Sequence, residues 1–310
     1  MKYLMQKSDY LISKMSVTPL TDCSLFHIDA IENKNIINRE SIRLKAQYKI
    51  DPEIILKPGL KLSLKHTGLF QCISCSKVIK KIFDGFCFPC LKKKAAADIC
   101  IMSPNLCHYL AGTCREPEWG EKFCYQPHYV YLSYTDKYKV GITRYSQIPT
   151  RWFDQGATLA TVLARVTSRH QAGTLEHLLK EILHDKSHWL NMLKNKNERP
   201  SHELFIKKFY ETKEWLLQNE LFITKKIYTT PPTHLNLSQE ILVFNEPLTV
   251  ELNFDVPNFP ATFKSINLDK NPSIMGEITG IKGQYIFMGD YVFNMRRHQG
   301  YKVNLEISEN

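Results

Sequence analysis

The tightest constraint on this chain comes from its cysteines, eight of which crowd between Cys72 and Cys124 while the ninth, Cys23, stands apart. Cys72-x2-Cys75 and Cys87-x2-Cys90 form two knuckles separated by 11 residues. Each knuckle can present two thiolates to one ion. Four thiolates close a tetrahedral shell around zinc with no position open for chemistry, so this spacing predicts a structural zinc ribbon. Disulfide bonding is the competing use of so many cysteines, but disulfide-dense frameworks belong to small secreted domains. Here Lys7, Ser8 and Asp9 fall where a signal peptide has its apolar run. No stretch approaches the ~18 apolar residues of a transmembrane helix. The expectation is a cytoplasmic protein that does not enter the membrane.

Cys100, Cys107, Cys114 and Cys124 follow at gaps of six, six and nine residues, with His108 and His128 close by. They predict a second zinc site, built from four thiolates or from three thiolates and one imidazole. Buried free thiols are the other reading, and Cys23 reads as a plain buried thiol. Lys77, Lys80, Lys81, Lys92, Lys93 and Lys94 surround the knuckles, placed either to grip phosphates or to form a solvated face.

With 310 residues, 43% hydrophobic and 23% charged, the chain is long and apolar enough for two or three packed domains and is neither disordered nor fibrous. A net charge of +10 favours polyanionic partners. The clearest early element is Leu60 to Lys65, whose strict alternation reads as a half-buried strand.

From Tyr129 the order becomes strand, strand, helix, strand, helix. Two β-rich runs flank a polar turn at Thr135-Asp136 and read as a hairpin. Alternation puts Tyr129, Tyr131 and Ser133 on one face of its first strand, and Lys139, Gly141 and Thr143 on one face of its second. Ser146 or a neighbour is expected to cap a short helix with Pro149 in its first turn, carrying Arg151 and Trp152 and ending at Gly156. A second helix is expected over Gln171 to His184. Its apolar stripe of Ala172, Leu175, Leu178, Leu179, Ile182 and Leu183 is interrupted by Glu176. A carboxylate in such a stripe needs a cation or hydrogen bonds, so Glu176 has either an arginine or lysine partner or a metal ion.

Val130-Tyr131, then Lys139-Val140-Gly141, an arginine on a short helix and a glutamate on the next long helix resemble, in order and spacing, the GIY-YIG nuclease domain over residues 127 to 190. In that family the first-strand tyrosine deprotonates water, the helix arginine holds the scissile phosphate and the glutamate binds one divalent metal. The resemblance implies those roles for Tyr131, Arg151 and Glu176. Tyr129 stands at the motif's first glycine, and Lys139 stands at the tyrosine of its second half. A lysine there can contact phosphate or favour the Tyr131 phenolate.

More widely, Gly-Thr-Cys-Arg-Glu-Pro-Glu-Trp-Gly-Glu (112–121), Val-Gly-Ile-Thr-Arg (140–144), Pro-Thr-Arg-Trp-Phe-Asp-Gln-Gly-Ala (149–157) and Gly-Ile-Lys-Gly-Gln-Tyr (280–285) resemble a bacterial family known only as a domain of unknown function. That resemblance implies zinc-binding cysteines followed by the GIY-YIG-like region. Relatives often carry a cysteine at the position of Ala97, which implies a second metal site that is altered or uses His108 or His128.

Beyond Pro231-Pro232, short alternating runs are punctuated by glycines, the pattern of a small antiparallel sheet or barrel. Arg296, Arg297, His298 and Lys302 near Tyr291 and Tyr301 give it cations and rings for oligonucleotide binding, with core packing as the other explanation for the rings.

The expected architecture is α+β. It comprises a β-rich region (1–66), a cysteine-rich zinc module (67–126), a GIY-YIG-like domain (127–195), a helical linker (196–232) and a β-rich, barrel-like carboxy-terminal domain (233–310). The expected function is a metal-dependent phosphodiesterase acting on DNA or RNA. Tyr131 activates water, Glu176 holds Mg²⁺ or Mn²⁺, and Arg151 with Lys139 stabilises phosphate charge. Zn²⁺, one ion or two, is structural. The alternative is a noncatalytic nucleic-acid-binding protein, with structured RNA among its expected ligands, that uses the same fold.

Overall fold

The computed structural model describes residues 2–20, 41–184, 188–227 and 241–309. Cys23 and Pro231-Pro232 lie outside them. The fold is mixed α+β and rich in strand, and one sheet curls into a half-barrel.

In the amino-terminal part the strands are β1 (Lys2–Leu11), β2 (Ser16–Pro19), β3 (Ile42–Asp51), β4 (Ile54–Leu56), β5 (Lys61–Gln71) and β6 (Val78–Ile79). The central segment supplies β7 (His128–Tyr134), β8 (Tyr138–Arg144) and β9 (Leu159–Val166). The remainder supplies β10 (Leu242–Val243), β11 (Val250–Asn253), β12 (Lys264–Ile266), β13 (Ser273–Glu277), β14 (Gly280–Lys282), β15 (Tyr285–Met288), β16 (Tyr291–Asn294) and β17 (Tyr301–Glu309).

They assemble into three sheets drawn from distant stretches of chain. The first runs β1-β17-β5-β13, with β6 continuing from β5. Its register sets Leu305 opposite Leu64 and Ile307 opposite Leu62, so the alternating apolar residues of both strands share one buried face. The second runs β2-β3-β11-β9-β7-β8, with β4 on β3 and β10 on β9. Here β11 lies parallel to β3 and antiparallel to β9, which joins the hairpin β7-β8 to the amino-terminal strands. The third is the four-stranded sheet β12-β16-β15-β14. Residues 242–309 thus contribute to all three sheets.

The helices are α1 (Phe88–Lys93), α2 (Pro117–Phe123), α3 (Thr150–Asp154), α4 (Arg169–Leu179), α5 (Trp189–Lys194), α6 (His202–Gln218) and α7 (Glu220–Ile227). Two apolar cores flank the hairpin. Val130, Leu132, Val140 and Ile142 pack with Ala172, Leu175, Leu178 and Leu179 of α4. On the opposite face Tyr129 and Tyr131 pack with Trp152 and Phe153 of α3 and with residues of the other two sheets. Strand β7 is therefore buried on both faces, where each large apolar side chain contributes about 1.5–3 kcal/mol.

Helix boundaries differ from expectation in two places. Pro149, not Ser146, is the N-cap of α3, and Ser146 falls in the preceding 3-10 turn. Helix α4 starts earlier, where the Ser168 hydroxyl accepts from Gln171 N–H at 3.2 Å, and it ends at Leu179 rather than His184. His184 instead pairs with β8, its carbonyl accepting from Val140 N–H at 2.8 Å. The exposed edge of β8 gains a backbone partner there that a continued helix would not supply.

Candidate functional site

The ribbon cysteines converge. After β5 the chain turns through Cys72 to Lys77, with Cys72 N–H donating to Lys77 C=O at 2.9 Å and Ser76 in the left-handed region (φ +57°). A second tight turn carries Asp84 and Gly85 at positive φ and leads into Cys87, the N-cap of α1. The sulfurs of Cys72, Cys75, Cys87 and Cys90 all lie within 4.8 Å of one another. Burial opposes ionisation of Cys72, yet N–H groups of Cys87, Cys75 and Ser74 aimed at its sulfur outweigh this and bring the thiol down to about 6. The neighbouring Cys87 sulfur, together with burial, pushes Cys90 up to about 12. Four soft donors crowded at this distance are a donor set that fits zinc.

Cys100, Cys107, Cys114 and Cys124 line a single cavity of about 20 Å³, along with Asp98, His108 and Tyr109. Burial raises Cys100 to about 12 and Cys124 to about 11. Within this region Asp98, Cys100 and His108 bring ligand atoms within 4.8 Å of one another. The Asp98 carboxylate is already engaged by Arg115 Nε at 2.6 Å and accepts from Cys100 N–H at 3.0 Å. His128 does not line the cavity. Its Nδ1 donates to Gln126 C=O at 2.7 Å, and burial lowers its pKa to about 4. Ala97 packs beside the first cysteine quartet instead.

The surrounding lysines have mixed surroundings. Lys94 is paired with Glu116 at 2.6 Å, and Lys92 and Lys81 lie over the rings of Phe88 and Phe83 at 4.5 and 5.3 Å.

The hairpin places Tyr131 opposite Gly141 and Ser133 opposite Lys139. A Cβ at position 141 would collide with the Tyr131 hydroxyl and ring. The hydroxyl of Tyr131, a fully buried residue, donates to Gln155 Oε1 at 2.5 Å, and Gln155 is the C-cap of α3, the helix that carries Arg151. Gly156 follows at φ +68° and ends that helix. Burial raises the Tyr131 pKa; the Arg151 guanidinium pulls it down and the Glu176 carboxylate pushes it up. Tyr131, Arg151 and Glu176 are thus brought within electrostatic reach, although α4 packs on the opposite face of the hairpin. Lys139 is buried on the Tyr131 face, two residues along its strand from Gly141.

Helix α4 also ties this site to the second cysteine region. Arg169 N–H donates to Cys124 C=O at 2.8 Å, Arg169 Nη2 donates to Ile101 C=O at 2.7 Å, and Gly173 lies so close to Pro104 and Asn105 that a Cβ would strike their backbone.

Sequence reasoning missed Gln155 and Arg169. Their signal was positional: one directly precedes the glycine that ends α3, and the other opens α4. The rings proposed for oligonucleotide stacking separate. His298 is buried, stacked on Phe293 with centroids 4.4 Å apart, and Tyr301 is buried with its hydroxyl donating to Asp269 at 2.8 Å. Both serve the core, whereas Tyr291 is 49% exposed.

No helix among the described residues is long and apolar enough to cross a membrane. No curated protein and no solved structure matches the chain. The family described as "Protein of unknown function (DUF2797)" matches residues 59–303, a span that takes in both cysteine groups, the hairpin and the carboxy-terminal arginines, and the chain belongs to that family.

Proposed function

We propose that this protein acts on the phosphodiester backbone of nucleic acid through a GIY-YIG-like site at Tyr131, Arg151 and Glu176, on a scaffold braced by zinc at Cys72, Cys75, Cys87 and Cys90. The observation that carries the reading is the hairpin face where the bare Cα of Gly141 makes room for Tyr131, with Arg151 and Glu176 both felt at its hydroxyl. In this reading Arg151 binds the phosphate and offsets the charge that grows on its oxygens as water attacks. The Tyr131 phenolate accepts the proton of that water, while the P–O bond to the leaving strand breaks. Glu176 is the residue that would hold Mg²⁺ or Mn²⁺, an ion that supplies Lewis-acid stabilisation of the phosphate. Lys139 puts a buried amine on the same sheet face. The cavity lined by Cys100, Cys107, Cys114 and Cys124 is a candidate second zinc site, with His108 as its nearby imidazole.

A second reading, a platform that binds nucleic acid without cleaving it, is favoured by one observation. Tyr131 is fully buried and its hydroxyl is already committed to Gln155. The two readings separate in a cleavage assay with Mg²⁺ or Mn²⁺ over single-stranded, duplex and structured DNA and RNA, run for the parent beside Glu176→Ala. Cleavage that disappears with Glu176 supports the enzyme. Binding without cleavage by both proteins supports the platform, and neither binding nor cleavage by the parent sinks both.

A further inference from the structure

The site has cationic neighbours that the GIY-YIG-like triad does not use. Arg296 opens a 3-10 turn after β16 and is solvent-accessible, with its guanidinium partly buried. Its position is fixed by a chain of contacts to α3. Met295 N–H donates to Gln284 C=O at 2.9 Å. The buried Gln284 amide donates to Asp154 Oδ1 at 2.8 Å, and its Oε1 accepts from Met15 N–H at 2.8 Å. Gly283 approaches so closely that a Cβ there would lie 3.0 Å from Asp154 C=O. Asp154 is one helical turn from Arg151, so the carboxy-terminal sheet is locked onto the helix that carries the phosphate-binding arginine.

The carboxylate on this helix is already spoken for: Asp154 accepts from Gln284 on one oxygen and pairs with Lys14 Nζ at 3.2 Å on the other. On the other side Arg169 is held by the Ile101 carbonyl. Burial disfavours the charge on Arg169, and the partial burial of the Arg296 guanidinium does the same there; the Arg151 charge adds to that in both cases, while Asp154 offsets it at Arg296. Arg151 and Arg296, joined through the Gln284–Asp154 contact, thus feel each other's charge, and a bound polyanion favours both guanidinium groups.

We propose that Arg296 and Arg151 form one phosphate-binding surface in which Arg296 holds a backbone phosphate adjoining the one held by Arg151, so that the ligand is a polynucleotide strand rather than a mononucleotide. The inference rests on the nucleic-acid reading above and adds to it the class of ligand and a residue outside the GIY-YIG-like segment. The carboxy-terminal sheet then acts as an extension of the central site instead of a separate oligonucleotide-binding barrel.

The test is fluorescence anisotropy of a labelled hairpin RNA, and of the DNA hairpin of the same sequence, titrated with full-length protein over a range of salt. Arg296→Ala is expected to weaken binding several-fold and to flatten the slope of log affinity against log salt by about 0.7–0.9, the loss of one phosphate contact. Arg296→Lys should keep most of the slope, and Arg297→Ala, its exposed neighbour, should match the parent. An Arg296→Ala slope equal to the parent's, with Arg151→Ala flattened, overturns this inference and leaves the nucleic-acid reading standing. Equal losses for Arg296→Ala and Arg297→Ala overturn it as well, since that reports diffuse charge. A parent without salt-dependent binding removes both.

Discussion

Gly141 lies opposite Tyr131 in antiparallel register, and the Tyr131 ring fills the space where any other residue at 141 would place its Cβ. The glycine is therefore explained by close approach, because Gly141 is not among the positive-φ residues. The strand pairing, the tyrosine and its bond to Gln155 form one packed unit with Trp152, whose ring meets that of Tyr131 edge-on at 6.0 Å.

Gly141→Ala is accordingly an overpacking substitution with a defined victim. It should destabilise the fold by about 1–3 kcal/mol, measured by urea unfolding, and displace the Tyr131 hydroxyl from Gln155. Tyr131→Phe in the Gly141→Ala background tests the second part. If the hydroxyl has already lost its partner, removing it should add little further loss; full additivity of the two changes would contradict that coupling.

The first cysteine quartet predicts metal content. Protein purified without chelator should carry at least one zinc per chain by elemental analysis, and Cys75→Ser should carry one fewer and melt at lower temperature. Cys75 is suited to the test because it is exposed, so the substitution removes a thiolate without opening the apolar core. Parent protein with well under one zinc would exclude the ribbon. Cys124→Ser, compared in the same way, reports whether the second cavity holds another ion.

How far the sequence could carry these conclusions is seen by setting Tyr131 beside Arg296. The hairpin, the faces of its strands, the order of the elements around it and the first quartet were all legible, because each depends on local alternation, turn residues or short spacing. The insertion of β17 between β1 and β5, and of β11 between β3 and β9, was not legible. Those pairings join segments from about 90 to about 300 residues apart, and nothing in a local pattern names the partner. The same blindness hid the contact of Gln284 with Asp154, and with it the position of Arg296. Tyr301 and His298 show the converse limit: rings and cations close in sequence looked like a binding surface, while their alternation in a strand and turn turned them into the core.

If the site is catalytic, its pH profile should carry the signature of Tyr131. Burial raises this pKa from 10.0 and Glu176 raises it further, against Arg151. The phenolate fraction in the apo site therefore grows only at alkaline pH, and cleavage should rise with pH across the neutral and alkaline range. Neutralising the carboxylate removes one of the opposing charges, so more Mg²⁺ or Mn²⁺ should shift the rise to lower pH. Tyr131→Phe should abolish the limb. A rate that is flat with pH, or a limb that survives in Tyr131→Phe, would assign proton removal elsewhere.

Lys282 gives a stability prediction that is independent of any function. Its side chain is fully buried; its ammonium donates to Asn195 C=O at 2.7 Å and lies 5.3 Å from the Phe254 ring. Burial lowers its pKa from 10.5 to about 7, with only partial compensation from Asp136. Below about 7 both the folded and unfolded chains hold the proton, and the cost of burying the cation is fully present. Between about 7 and 10.5 the unfolded chain holds more protons than the folded one, so stability rises with pH there, by up to about 1.4 kcal/mol per pH unit for a single group. Lys282→Met removes the titrating group and should flatten that part of the curve relative to the parent, since the other ionisable groups are common to both proteins. Urea unfolding of the pair at a series of pH values is the measurement, and parallel curves above pH 7 would show that Lys282 keeps its proton in the folded protein.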